Sequence, residues 1–164
     1  MQAMLTVAVT DASDLSDEVV TQGAAIWARA RNHRDGAAAP SAADCEGAIA
    51  GVRRRLALLG ARILLAHRDE AVVGFALFAP NARATEVFYL AVDPEAWGGG
   101  IGTALLAAVD DLARQDDRPL ELWVIDDNAR AIAVYERAGW LPTDEVVRDG
   151  ASGRLERRFV RPRW

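Results

Sequence analysis

The chain contains no lysine; all nineteen of its basic residues are arginine. That absence excludes Schiff-base chemistry and the lysine-dependent Walker A phosphate loop. Cys45 is the only cysteine, and His33 and His67 are the only histidines. An intrachain disulfide framework is therefore excluded, no soft-ligand set for a metal is at hand, and a reducing compartment is the simple inference. No apolar run approaches the ~20 residues of a membrane span. The opening "MQAMLTVAVTDASD" lacks a basic region and its apolar stretch is short, so it reads as a first strand and not as a signal peptide. A soluble, cytoplasmic protein with no membrane partner is expected. Acidic residues outnumber basic ones by 24 to 19, a formal charge of -5, which leaves no broad footprint for phosphates and argues against nucleic acid as a partner. A cationic or neutral partner fits better.

What is present fits one ordinary domain over residues 1–164: 51% hydrophobic residues and tryptophans at 27, 97, 123, 140 and 164 supply a core. No internal repeat or low-complexity segment interrupts it, and "DGAAAPSAAD" (Asp35 to Asp44) is the only loose connection. Met4 to Val9 reads as a strand. A helix capped by Asp14 or Ser16 runs to about Arg31; Ser41 caps a second, with Ile49, Val52, Leu56 and Leu59 on one face and Gly60 at its end. Three short runs rich in β-branched and aromatic residues follow, Arg62 to Ala66, Val72 to Phe78 and Thr85 to Val92, as in an antiparallel meander. Ile101, Leu105, Leu106, Val109 and Leu112 give a helical stripe. Pro119 to Ile125 is the next strand, "NARAIAVYERAG" the next helix, and the chain from Trp140 to Arg161 a closing hairpin around "RDGASG". The order predicts an α+β fold with a mixed, mostly antiparallel central sheet flanked by helices.

Between the third strand of the meander and the helix that follows stand Gly98, Gly99, Gly100 and Gly102. Glycine inside an element costs about 0.5–1 kcal/mol relative to alanine, so the backbone itself is needed there. A glycine-rich turn that opens a helix offers free N–H groups at the positive end of the helix dipole, a ready site for phosphate. A dinucleotide fingerprint fails, because Thr103 or Leu105 stands where its last glycine belongs. A merely flexible loop is the remaining reading, and it leaves the close backbone approach without a use.

"LAVDPEAWGGGIGTALL" resembles the acetyl-CoA-binding motif of the GNAT superfamily of N-acetyltransferases, in which a strand ending in L-x-V-x-P leads into R/Q-x-x-G-x-G/A. Trp97, Gly98, Gly99, Gly100, Ile101 and Gly102 fill those six positions, and Thr103 follows. "NARAIAVYERAGW" is similar to the second signature, N-x-x-A-x-x-x-Y-x-x-x-G-F, through Asn128, Ala131, Tyr135 and Gly139. The chain departs from the pattern in carrying Trp97 where Arg or Gln opens the motif, and Gly99 where a polar residue is usual. The resemblance covers Val72 to Trp140 and implies a GNAT-like fold with helices on both sheet faces, acetyl-CoA as co-substrate, no metal, and a small-molecule or peptide amine as acceptor. A homodimer is ordinary for the family.

The resemblance also implies roles. The strand over Thr85 to Val92 splays from its neighbour, the pantetheine arm lies between them against backbone at Leu90 and Val92, and the Leu90 N–H is the oxyanion donor. Glu86 stands six residues before Val92 and eleven before Trp97, the spacing of the family's glutamate base. Period-two alternation places it on the face of Leu90. A solvated or arginine-paired carboxylate is the plainer reading of Glu86, and water or another residue is an alternative base. Tyr135 matches the general acid, although it also fits a core position. Asn128 is an N-cap first and a cofactor contact second. Arg53, Arg54 and Arg55 read as a solvated helix face, Cys45 lacks any partner for reactivity, and Asp126 and Asp127 read as turn residues. The acceptor would be recognised by residues Asn32 to Asp44 and Val146 to Arg157, and the acidic net charge mildly favours a small cationic amine. A non-catalytic acyl-CoA-binding module is the rival reading.

Overall fold

A computed structural model describes residues 4–163. Met1 to Ala3 and the Trp164 counted above among the core aromatics lie outside the described residues. The chain forms strands β1 (Leu5–Asp11), β2 (Arg62–Arg68), β3 (Ala71–Pro80), β4 (Thr85–Val92), β5 (Leu120–Ile125), β6 (Leu141–Arg148) and β7 (Leu155–Arg161). Its helices are α1 (Asp17–Arg34), α2 (Ala42–Leu56), α3 (Ile101–Gln115) and α4 (Ala129–Arg137). Ser16, and not Asp14, caps α1 by accepting from the Val19 N–H at 3.2 Å. Ser41 and Asp44 form a reciprocal capping box on α2. That helix stops at Leu56, short of the expected end: the Leu58 N–H turns back to the Arg55 carbonyl, and Leu59, taken as part of the apolar face, is 94% exposed.

The strands make one sheet in the order β1-β2-β3-β4-β5-β7-β6, antiparallel throughout except where β4 lies parallel to β5. Alternation along β2 and β3 sends side chains to two cores. Leu64, Ala66, Ala76 and Phe78 meet Leu105 and Val109 of α3; Ile63, Leu65, Phe75 and Leu77 meet Val20 and Ile26 of α1 and Val52 of α2. Helices thus cover both faces. Phe75 is fully buried, and its truncation to alanine is expected to cost about 3–5 kcal/mol.

β4 carries an irregularity that alternation could not foresee. Leu77 pairs with Tyr89 and Phe78 with Val87, so Phe88 is an extra residue, a β-bulge. Val87, Leu90 and Val92 pack toward α3, whereas Phe88, Tyr89 and Ala91 pack toward α1 and α2. Two consecutive side chains therefore share a face. The expectation that Glu86 and Leu90 point the same way is corrected: Glu86, one residue before Val87, lies on the α1–α2 face, and the Leu90 side chain lies on the other.

Candidate functional site

The parallel pairing of β4 with β5 is brief. It joins Thr85 to Leu120, Glu86 to Glu121 and Val87 to Leu122, and ends there. Beyond Val87 the strands splay, as expected. The Asp93 N–H donates to the Val73 carbonyl at 2.8 Å. In an antiparallel ladder alternate residues turn to the partner, so Ala91 and Tyr89 face β3 and the N–H groups of Leu90 and Val92 face the gap toward β5. The Val92 carbonyl is already engaged, since the Trp97 indole Nε1–H donates to it at 2.8 Å.

The gap leads to the glycine turn. Asp93 accepts from the Glu95 N–H and begins a 3-10 turn over Pro94–Ala96, after which Gly98 (φ +86°) and Gly100 (φ +77°) adopt left-handed backbone. A side chain at either would be strained, although a Cβ there would meet nothing within 4 Å. Gly100 is the N-cap of α3 and offers no side-chain cap, and no acidic residue stands in the first turn. The N–H groups of Ile101, Gly102 and Thr103 thus keep their capacity for an anion, and the first helical bond is Ala104 N–H to the Gly100 carbonyl at 3.0 Å.

Three side chains to which the sequence assigns no part in this turn surround it. The Arg130 guanidinium lies over the Trp97 ring at 4.0 Å, and the His33 ring meets the same indole edge-on at 4.7 Å. The Arg68 Nη2 sits 2.7 Å from where a Cβ on Gly99 would be. A larger residue at 99 would push that guanidinium away. Position 97 carries no cation, and two guanidinium groups, from α4 and from the end of β2, stand beside the turn. Spacing could not show this, because neither arginine belongs to the motif's loop.

Glu86 is half-buried, and the Asn81 amide donates to its Oε1 at 3.4 Å. Burial first, and then the neighbouring Glu121 carboxylate, raise its pKa above the ordinary glutamate value; Arg55 and Arg83 oppose them. Glu121, absent from the sequence reading, is 1% exposed and holds together Arg83, Arg158 and Asn81 at 2.8–3.1 Å. Its burial favours the neutral acid, but those hydrogen bonds outweigh it and hold the pKa below the usual range. Tyr135 packs in the α3–α4 core beside Trp140 (5.9 Å between ring centroids) and Phe159 (6.4 Å). Burial pushes its phenol up to about 12, so it stays protonated at neutral pH. Asn128 caps α4, accepting from the Ala131 N–H at 3.3 Å. Glu86 and Tyr135 thus lie on opposite faces of the sheet, Glu86 just before the point where β4 and β5 part.

The two segments expected to recognise an acceptor come together. Arg154 in the β6–β7 turn pairs with Asp35 after α1 at 3.0 Å. Asp126, read as a turn residue, pairs with Arg157 at 2.8 Å. A hollow of about 300 Å³ lined by Asp126, Asp127, Ala129 and Ile132 opens where β5 meets α4. A larger one, about 790 Å³, lies at the far end of β4 from the glycine turn, lined by Gly60, Phe78 and Arg118. It holds none of the expected site residues. Among the described residues no group of three or more His, Cys, Asp or Glu side chains could hold a metal ion, and no helix is long and apolar enough to cross a membrane.

The model of the Acetyltransferase (GNAT) family matches residues 27–140. The mycothiol acetyltransferase of Acidimicrobium ferrooxidans is 38% identical over 94 residues, 54% of this chain and 30% of that protein. The match thus spans under a third of that relative's length. The ribosomal-protein-S18-alanine N-acetyltransferase of Escherichia coli superposes with a TM-score of 0.73 over 97% of this chain and 94% of its own, at 22% identity. The PaiA N-acetyltransferase of Thermoplasma acidophilum, solved in complex with coenzyme A, gives 0.69 over 93% and 98%, at 19% identity. At those identities the two structures establish the shared fold.

Proposed function

Given that the chain belongs to the acetyltransferase (GNAT) family, we propose that it transfers the acetyl group of acetyl-CoA to a primary amine by direct attack in a ternary complex. The observation that carries this reading is the β4–β5 gap: two unpaired N–H groups face it, and it leads to an uncapped helix start built from glycine. The free N–H groups of residues 101–103 would hold the diphosphate, with Arg68 and Arg130 supplying charge that Trp97 cannot. Val92 N–H and Leu90 N–H would meet the pantetheine arm and the thioester.

The two faces divide the work. Glu86, on the α1–α2 face, collects the proton of the incoming ammonium, directly or through water, and leaves a nitrogen lone pair to attack the thioester carbon. A raised pKa brings this carboxylate closer to neutrality than an ordinary glutamate and improves it as a base. As the new C–N bond forms, the Leu90 N–H donates to the carbonyl oxygen, a contribution of about 3 kcal/mol for such a fixed dipole. When the C–S bond breaks, Tyr135 on the opposite face gives its proton to the departing sulfur. The acceptor classes remain a small amine, an amino acid or a peptide N-terminus, and the similarity to mycothiol acetyltransferases adds mycothiol-related amines.

The test is release of free thiol from acetyl-CoA across an amine panel, with Glu86→Gln beside the wild type and heat protection by acetyl-CoA measured for both. Turnover that collapses in the variant while protection persists supports the reading. Protection without turnover on any amine supports a non-catalytic acyl-CoA binder.

A further inference from the structure

Two guanidinium groups on the α1–α2 face of the site stand without a carboxylate partner among the described residues. Arg53 pairs with Asp17 at 3.1 Å and Arg31 reaches Asp44 at 4.0 Å, whereas Arg54 and Arg55 have no ion-pair partner among the described residues. Both are nevertheless directed at the site. The Arg55 guanidinium lies over the ring of Phe88, the bulged residue two places after Glu86, at 4.8 Å. Arg54 Nη2 is 3.8 Å from the position a Cβ on Gly51 would take, and the Tyr89 hydroxyl is 2.7 Å from the same point. Gly51 is thus the notch that lets this hydroxyl and this guanidinium converge. Arg31, Arg54 and Arg55 all act on the Tyr89 phenol electrostatically.

Of the acids around Glu86, Glu121 and Glu145 are bound to Arg83 and Arg158, and Glu86 itself is needed for the amine; Glu18 and Glu46, near the N-terminal ends of α1 and α2, are exposed and pair with neither Arg54 nor Arg55. In a chain with five more acidic than basic residues, two adjacent guanidinium groups left beside the acceptor side of the gap call for an anion from outside.

The geometry points to an acceptor that is itself anionic: an amine bearing a carboxylate or a phosphate, its nitrogen at Glu86 and its anion on Arg55 and Arg54. This rests on the acetyltransferase reading and reverses the expectation, drawn from net charge, of a cationic amine. The planar guanidinium groups suit either oxyanion, and that of Arg55 rests over the Phe88 ring.

Matched probes separate the sources: β-alanine against its amide for a carboxylate, and phosphoethanolamine against ethanolamine for a phosphate. Each is measured by thiol release from acetyl-CoA and, on the CoA-loaded protein, by calorimetry. The charged member of at least one pair is expected to show a KM or Kd at least tenfold below its neutral partner. In Arg54→Gln/Arg55→Gln the two members should fall within twofold of each other; Arg55→Lys should recover part of the gap, and Arg53→Gln should keep it. Turnover or binding that is equal or better for the neutral members, or a preference that survives the double substitution, overturns the proposal while the transferase reading stands. Arginine-dependent binding of an anionic probe without any acetylation does the reverse. Neither binding nor turnover of any probe overturns both.

Discussion

The turn after β4 and the rim formed by Glu86 with the end of α2, to which the proposed reaction assigns its two substrates, are built from different materials. At the turn the contacts are backbone N–H groups, exposed because Gly98, Gly99, Gly100 and Gly102 carry nothing that covers them. At the rim they are side chains, Glu86, Arg54 and Arg55, aimed by a bulge and by the end of a helix. A backbone site constrains sequence tightly and advertises itself; a side-chain site can be rebuilt by a few substitutions without touching the fold. The first should therefore fail when its conformation is disturbed, and the second when its chemistry is changed.

The largest expected effect falls on the rim. Glu86→Gln keeps the shape and removes the base, with a fall of about 10²–10⁴ in kcat/KM and little change in acetyl-CoA affinity. Because the folded state raises this pKa, the carboxylate's contribution to stability is present at low pH and is lost as pH rises through the folded pKa. The glutamine variant should accordingly melt at or above the wild-type temperature at pH 7 while being nearly inactive. A lower melting point there would show that Glu86 is structural. Next is the turn: Gly100→Val forces a branched side chain into left-handed backbone at the N-cap of α3. We expect acetyl-CoA affinity to drop about 30- to 100-fold by titration, the strain alone accounting for ~1–2 kcal/mol.

Tyr135→Phe should lower kcat by about tenfold to a few hundredfold and leave the acid limb of the pH profile in place, since a phenol raised to about 12 donates as a neutral group over the whole working range. An unchanged kcat would return Tyr135 to the core it shares with Trp140. Glu121→Gln leaves Arg158 beside a neutral amide; it should destabilise the fold in urea melts and move the acid limb of the rate profile to lower pH, because the anion that raises the Glu86 pKa is gone. The Glu121 contribution has the opposite sign to that of Glu86: its lowered pKa supplies stability at neutral pH that is lost as pH falls through the folded value. The smallest effect is expected for Arg68→Ala, a few-fold loss in acetyl-CoA affinity that should vanish at high salt.

Much of the frame was legible in the sequence because it is written in periodicity and glycine. The bounds of β4, the apolar stripe of α3, the cap at Asn128 and the glycine turn follow from local rules, and the structure repeats them. The bulge at Phe88 was not legible, since nothing in "TEVFYLAV" distinguishes an extra residue from an ordinary alternation, and missing it put Glu86 on the wrong face. Arg54 and Arg55 look like any basic helix end until Phe88 is seen beneath one of them. Arg68 and Arg130 reach the turn from elements that lie 31 residues before Gly99 and 33 residues after Trp97, a distance that loop spacing does not encode.

The splay between β4 and β5 also sets a clock on single amides. Within one strand, the Tyr89 and Ala91 N–H groups are locked into the β3 ladder, while those of Leu90 and Val92 stand open to the gap. Neighbouring amides should therefore trade their protons for deuterons at very different rates, fast and slow in alternation along residues 89 to 92. A thioester substrate lying in the gap would slow only the fast pair, so a single strand would carry both the record of occupancy and the reference against which to read it.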